Sequence, residues 1–267
     1  MNFNKLNVIT GWAMGLIATI VYALTLEPTM PFWDCGEFIS SVYKLEVGHP
    51  PGAPLFMLIG RVFSAFVEPA TVPVMINFLS ALCSGLTIVF LFWTITHFAK
   101  KFVDTDQINR PQLIAIIGSG VIGAMVYTFS DTFWFSAVEA EVYAMSSLFT
   151  AVVFWAILKW ESSVGQPGEI RWIVLIAYLM GLSIGVHLLN LLAIPAICLV
   201  YYFKKFPFSV RGLIVTGAVS LVLLFMINSG VIIYFVQLAG TFERKFVNDM
   251  HMPFNSGAIF YFMLVAV

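Results

Sequence analysis

Apolar residues fall into blocks of roughly 20, the length at which an α-helix crosses a bilayer. Short segments rich in charge, proline and glycine separate them. The pattern predicts a first span over Val8–Leu26, then spans over Pro73–Phe98, Leu113–Phe129, Val138–Trp160, Ile170–His187, Leu189–Phe203 and Leu213–Leu238. The first block is too long for a secretory signal and lacks a small-x-small cleavage site, so it reads as an uncleaved helix. A last block runs from Gly257 to Val267. It is too short to cross a membrane as a helix. The expectation is therefore one transmembrane domain over residues 1–267, an N-terminal fragment that ends within a span.

Glu27–Thr71 has a different pattern. Glu37–Val47 reads as an amphipathic helix with Phe38, Val42 and Leu45 on one face, and Pro54–Phe66 as a second short helix at or dipping into the interface. Two such helices would form a rim around whatever precedes them.

Composition and charge sharpen the picture. Hydrophobic residues make up 60% of the chain and charged residues 10%, and mean hydropathy is +0.95, against about a quarter charged residues in a soluble domain. The class is an all-α polytopic membrane protein. A net charge of −1 lacks the basic footprint of a nucleic-acid binder. Cys35, Cys83 and Cys198 are too few and too scattered for a disulfide framework or a zinc site, and Cys83 and Cys198 read as small core residues. With the N-terminus inside, nine Lys and Arg fall on the inner side and four, Lys44, Arg61, Arg244 and Lys245, on the outer, as the positive-inside rule requires. Ten of the 14 carboxylates fall outside. Acidic residues contribute little to topology, so that excess asks for another cause.

The outer acids cluster. Trp33-Asp34-Cys35-Gly36-Glu37-Phe38 follows the first span. Asp34 and Glu37 can form a capping box for the next helix, or one of them can serve as a general base. Phe32 and Trp33 fit an interfacial belt or a stacking surface for a sugar. His49-Pro50-Pro51-Gly52-Ala53-Pro54 is a rigid turn whose histidine is either a corner residue or a phosphate partner. In Ser136-Ala137-Val138-Glu139-Ala140-Glu141-Val142-Tyr143, Ser136 and Glu139 match a capping box. In a continuous helix Glu141 would point about 200° away from Glu139, while Glu139 and Tyr143 would share a face. His187 and Asn190, spaced by three, share a face if their helix continues, and Gly181 and Gly185 mark a small-residue packing pattern. His97 and His251 look incidental.

No Walker A, H-E-x-x-H or G-x-G-x-x-G pattern is present. A transporter would carry ionisable groups near the bilayer midplane; these acids lie at span ends, on one side.

Trp-Asp-x-Gly-Glu-Phe, His-Pro-Pro-Gly, Val-Glu-x-Glu-Val-Tyr and Gly-x-x-x-Gly-x-His-x-x-Asn follow one another from Trp33 to Asn190. They resemble the bacterial and animal multi-pass membrane family, formerly of unknown function, that is related to the protein O-mannosyltransferases and similar in layout to the type-C glycosyltransferase fold. The resemblance implies a membrane glycosyltransferase that moves a sugar, mannose among the options, from a polyprenyl-phosphate donor to a Ser or Thr hydroxyl of a protein acceptor. It implies work at the outer face of a membrane, the inner membrane if bacterial, with a cytoplasmic N-terminus.

On that resemblance Asp34 is the base, with Glu37 as second candidate. His49 and His187 meet the phosphate, Glu139 or Glu141 positions the sugar beside Tyr143, and Asn190 supports them. Arg61 is the expected phosphate cation, and a divalent metal on Asp34, Glu37 and Glu141 is the substitute. Apart from these ligands and membrane lipid, no cofactor is implied. A flippase for a lipid-linked sugar, or a non-catalytic scaffold, are the competing readings.

Overall fold

The computed structural model describes residues 2–50, 52–103 and 108–266. Every regular element among them is helical, and six helical stretches are long and apolar enough to cross a membrane. The chain is a multi-pass membrane protein. It divides into two compact units, residues 1–193 and 194–267.

In the first unit, α1 (Phe3–Leu24), α4 (Val72–Lys101), α5 (Arg110–Thr128) and α7 (Val142–Ser163) match four predicted spans. The long α4 is the central post. Gly15 and Gly85 let α1 press against it: a Cβ on Gly15 would lie 2.8 Å from the Gly85 carbonyl oxygen. Packing of this kind replaces the hydrophobic drive that helices lack among lipid tails. Around that contact Ala18, Tyr22, Ile88, Phe92 and Ala124 are buried.

The expected interfacial helices are α2 (Cys35–Lys44) and α3 (Pro54–Ser64). Their apolar faces, with Phe38, Val42, Phe56 and Met57, pack with Ile76 and Leu79 of α4 and Met145 of α7 into one core. The outer turns are knitted by polar contacts. Asn77 donates to the Glu27 carbonyl at 2.6 Å, the Glu27 N–H donates to Val138 O at 3.2 Å, and the Tyr22 hydroxyl donates to Thr128 O at 2.8 Å.

Two predicted boundaries are overturned. The span expected to start at Val138 is split: a short helix α6 (Asp131–Ala137) ends there, and α7 begins only at Val142. Ser136 lies inside α6 and its hydroxyl donates to Thr132 O, so the Ser136–Glu139 capping box does not form. The span expected over Ile170–His187 is the shorter α8 (Ile170–Ile184). It stops where the Gly185 carbonyl turns out to accept the Leu55 N–H of α3 at 2.7 Å. A 3₁₀ turn, Leu188–Leu192, follows, so His187 and Asn190 do not share a helical face.

The second unit holds α9 (Ala193–Lys205), α10 (Val210–Phe225), α11 (Phe235–Arg244) and α12 (Ser256–Ala266). Tyr202 closes the α9–α10 turn, accepting the Ser209 N–H at 2.8 Å. From α10 the helix continues through two π-helical stretches to Asp249, past the predicted end at Leu238. The Glu243 carboxylate accepts the Asn255 and Ala258 N–H groups at 2.6 and 3.0 Å, which caps α12.

Candidate active site

The site forms where the turn before α2, the turn before α3, the turn before α7 and the turn after α8 meet. Trp33 takes φ +64°, a left-handed conformation that costs a non-glycine residue about 1 kcal/mol or more. Asp34 follows at the N-cap position of α2 with no side-chain capping bond. Glu37 does not complete a capping box either. Its carboxylate accepts the His49 backbone N–H at 2.6 Å and faces the His49 Nδ1 at 3.1 Å. The capping box therefore fails here: Asp34 makes no capping bond, and a histidine twelve residues on takes the Glu37 carboxylate.

The turn at His49 closes when the Gly52 N–H donates to His49 O at 2.8 Å. Gly52 takes φ +74°, which glycine tolerates without strain. Bonded through Nδ1 to a carboxylate, the His49 ring presents Nε2 to Asp34, whose Oδ2 lies 4.0 Å away. The hydrogen bond from Glu37, then the charges of Glu37 and Asp34, hold His49 above the usual imidazole range; the same bonds hold Glu37 below the usual carboxylate range.

Opposite stands the Glu139-Ala140-Glu141 turn. The Glu141 N–H donates to Glu139 O at 2.9 Å, and both carboxyls are buried, with 6% and 5% of each residue exposed. The expectation that they face opposite ways assumed a helix that is not there. Instead both bracket the Cys35 thiol, which donates to Glu141 Oε1 at 3.6 Å and also meets Glu139. Burial, then the charge of Glu141, pushes Glu139 up to about 7. Burial raises Glu141 as well, and burial with both neighbouring charges raises the Cys35 thiol far out of the nucleophilic range. Cys35 is the participant that the sequence did not reveal; its position between the two acids of the first motif was the available sign.

Two pockets flank this thiol. A small one of about 70 Å³ gathers Asp34, His49, Glu141, Tyr143 and His187. His187 accepts the Leu189 N–H at Nδ1 over 3.2 Å, which leaves Nε2–H to donate, and burial keeps the ring below the usual imidazole range. Its ring lies 5.3 Å from that of Tyr143. The other pocket, about 320 Å³, is lined by Glu27, Phe32, Trp33, Phe135 and Glu139, a size within the range of small-molecule sites. Glu139 and Tyr143 thus belong to different pockets.

Arg61 and Asn190 stand apart from this group. The Arg61 guanidinium donates to Tyr43 O at 2.5 Å and lies over the Tyr43 ring. Asn190 is buried against α7 and accepts from the Ser146 and Thr150 hydroxyls. Of the glycine pair, Gly185 packs closely, its Cβ position 3.0 Å from Leu55 Cβ, while Gly181 faces open space. For a divalent ion, Asp34, Glu37 and His49 offer ligand atoms within 4.8 Å of one another. His49 replaces the expected Glu141, and two carboxylates with an imidazole suit a first-row divalent metal.

Residues 34–209 match the family described as the protein O-mannosyl-transferase TMEM260 N-terminal domain. The protein O-mannosyl-transferase tmem260 of Dictyostelium discoideum is 28% identical over 137 residues, 51% of this chain and 15% of its own length. That of Mus musculus is 26% identical over 164 residues, 61% of this chain and 21% of its own length. The matched region is therefore a small part of these relatives. No solved structure matches the chain. With every motif of the outer cluster up to Asn190 inside the matched region, the chain belongs to the family of TMEM260 N-terminal domains.

Proposed function

We propose that this chain is the membrane part of a glycosyltransferase that moves a sugar, mannose by the names of its relatives, from a polyprenyl-phosphate donor to a Ser or Thr hydroxyl of a protein at the outer face. The type-C layout and the extracytoplasmic placement belong to the same proposal. The observation that carries it is the convergence of Asp34, His49, Glu141 and His187 on one pocket from four separate turns. Capping or belt roles would not require them to meet.

Asp34 takes the proton of the acceptor hydroxyl. The oxygen forms a bond to the anomeric carbon as the bond from that carbon to the phosphate oxygen breaks. The electron pair leaves with the polyprenyl phosphate. Charge stabilisation of that group outweighs acid catalysis. Here His49, whose proton the Glu37 carboxylate favours, and His187, with an Nε2–H to donate, replace Arg61 as phosphate partners. The protonated Glu139 can donate to a sugar hydroxyl above the Phe32 and Trp33 rings. With His49 neutral instead, a divalent ion held by Asp34, Glu37 and His49 would supply Lewis-acid charge at that phosphate in place of the imidazolium.

The test is transfer of labelled mannose from polyprenyl-phosphate mannose to protein in membranes, wild type against Asp34→Asn at equal expression. Asn keeps size and polarity, and Asp34 makes no capping bond to lose. Transfer should fall about 10²- to 10⁴-fold, the usual contribution of a positioned base. Equal transfer would remove Asp34 from the chemistry, and absence of transfer in both, with donor and acceptor varied, would favour the flippase or scaffold.

A further inference from the structure

The Lys-rich end of the first unit holds a cavity of about 460 Å³, between the start of α1 and the ends of α4 and α7. None of the residues proposed for sugar transfer lines it. Its wall is graded. Val8, Trp93, Trp155 and Leu158 are apolar or aromatic, whereas Lys100 and Lys101 from the last turn of α4 and Lys159 from the C-terminal half of α7 add three cations. Among the described residues, Glu161 is the carboxylate that answers them, pairing with Lys101 at 2.6 Å. Lys100 and Lys159 are held by aromatic rings alone in the contacts seen, Phe3 at 5.1 Å and Trp155 at 5.3 Å. At the same cavity the buried Asn7 Oδ1 has no hydrogen-bond partner, whereas buried polar atoms are normally satisfied; His97 Nε2 faces Glu161 at 3.6 Å.

Lysines in a last turn also offset the helix dipole. That role explains Lys100 and Lys101 on α4. It does not explain why cations from two helices share an aromatic-walled cavity with an unsatisfied buried amide oxygen.

We infer that this cavity is a site for an anionic phospholipid, the phosphate held by Lys100 and Lys159 and the proximal acyl carbons lying on Trp93 and Trp155. A soluble phosphate would use the cations but not the apolar wall, and the graded lining favours the lipid. By the positive-inside rule this end faces the cytoplasm, where anionic headgroups attract basic residues.

The test uses purified protein in phosphatidylcholine nanodiscs with added phosphatidylglycerol, read by native mass spectrometry of retained lipid. Wild type should retain phosphatidylglycerol over phosphatidylcholine. The Lys100→Gln, Lys159→Gln double variant should bind it about 10- to 30-fold more weakly, from two lost cations near an anionic surface. The double Lys→Arg variant should keep the preference, which distinguishes lost charge from a disturbed fold. Equal retention of both lipids by wild type, equal loss in the Gln and Arg variants, or displacement of the lipid by millimolar inorganic phosphate would overturn the inference.

Discussion

Glu139 offers the sharpest quantitative test of the site, because its burial makes a definite pH dependence. The carboxyl is moved from the ordinary 4.5 to about 7 in the fold, chiefly by burial and then by the neighbouring Glu141. Below pH 4.5 the group is neutral in folded and unfolded chains and takes nothing from stability. Between 4.5 and 7 the unfolded chain ionises freely while the folded chain resists, so stability falls. Above 7 the loss is complete. At 1.36 kcal/mol per pKa unit, the difference amounts to about 3 kcal/mol. For a chain of this size that corresponds to roughly 6–12 °C in melting temperature. Glu139→Gln removes the charge and keeps the shape. The measurement is tryptophan-fluorescence melting of wild type and Glu139→Gln in nanodiscs at pH 4.5 and pH 8. Other titrating groups, including His49 and Glu37, are common to both proteins and cancel in the comparison. The wild type should lose about 3 kcal/mol more than the variant between the two pH values. Identical losses would show that Glu139 is solvated in the folded protein, and would remove it as a neutral hydrogen-bond donor to a sugar.

Two further substitutions probe the frame. Arg61→Gln should leave the KM for the lipid-linked donor within about twofold, because the guanidinium is engaged with the Tyr43 carbonyl and ring rather than the pocket; a tenfold rise would return Arg61 to the phosphate. Gly185→Leu puts a side chain where Leu55 Cβ already lies 3.0 Å from a Cβ position, at an overpacking cost of about 1–3 kcal/mol. It should lower transfer by separating the His49 turn from His187. Unchanged thermal stability and unchanged transfer would show that the contact is dispensable.

Much of the fold was legible because bilayer-length apolar runs leave a helix few alternatives. The amphipathic stretches over α2 and α3 were equally clear from their spacing. What failed were local capping signals. Ser136-x-x-Glu139 has the pattern of a helix start, yet Ala137 and Ala140 are fully buried and the Val138 carbonyl is taken by the Glu27 N–H. Those tertiary contacts hold the segment as a turn. Asp34-x-x-Glu37 carries the same signal, and there the competing partner is His49. Short motifs report what a segment can do alone; a partner more than ten residues away is invisible to them. The split of α6 from α7 follows from the same blindness, and with it the error that put Glu139 and Glu141 on opposite faces.

Four Lys and Arg fall on the outer side, and the proposed function meets the phosphate without arginine. A permanent cation beside Asp34 would stabilise its carboxylate and weaken it as a base. A histidine bonded through Nδ1 to Glu37 avoids much of that cost, since Glu37 offsets its charge while the ring turns Nε2 toward the pocket. The phosphate then meets a cation whose strength is set by a neighbouring acid. In the neighbouring pocket the buried Glu139, pushed up to about 7 by burial and by Glu141, is the acid placed to donate on that reading. On the proposed reading the acids divide between two tasks: the exposed Asp34 and half-buried Glu37 manage charge, and the buried Glu139, beside Cys35, offers a hydrogen bond to a neutral sugar. Burial and the neighbouring Glu141 set Glu139 apart, while the bonds from His49 hold Glu37 ionised.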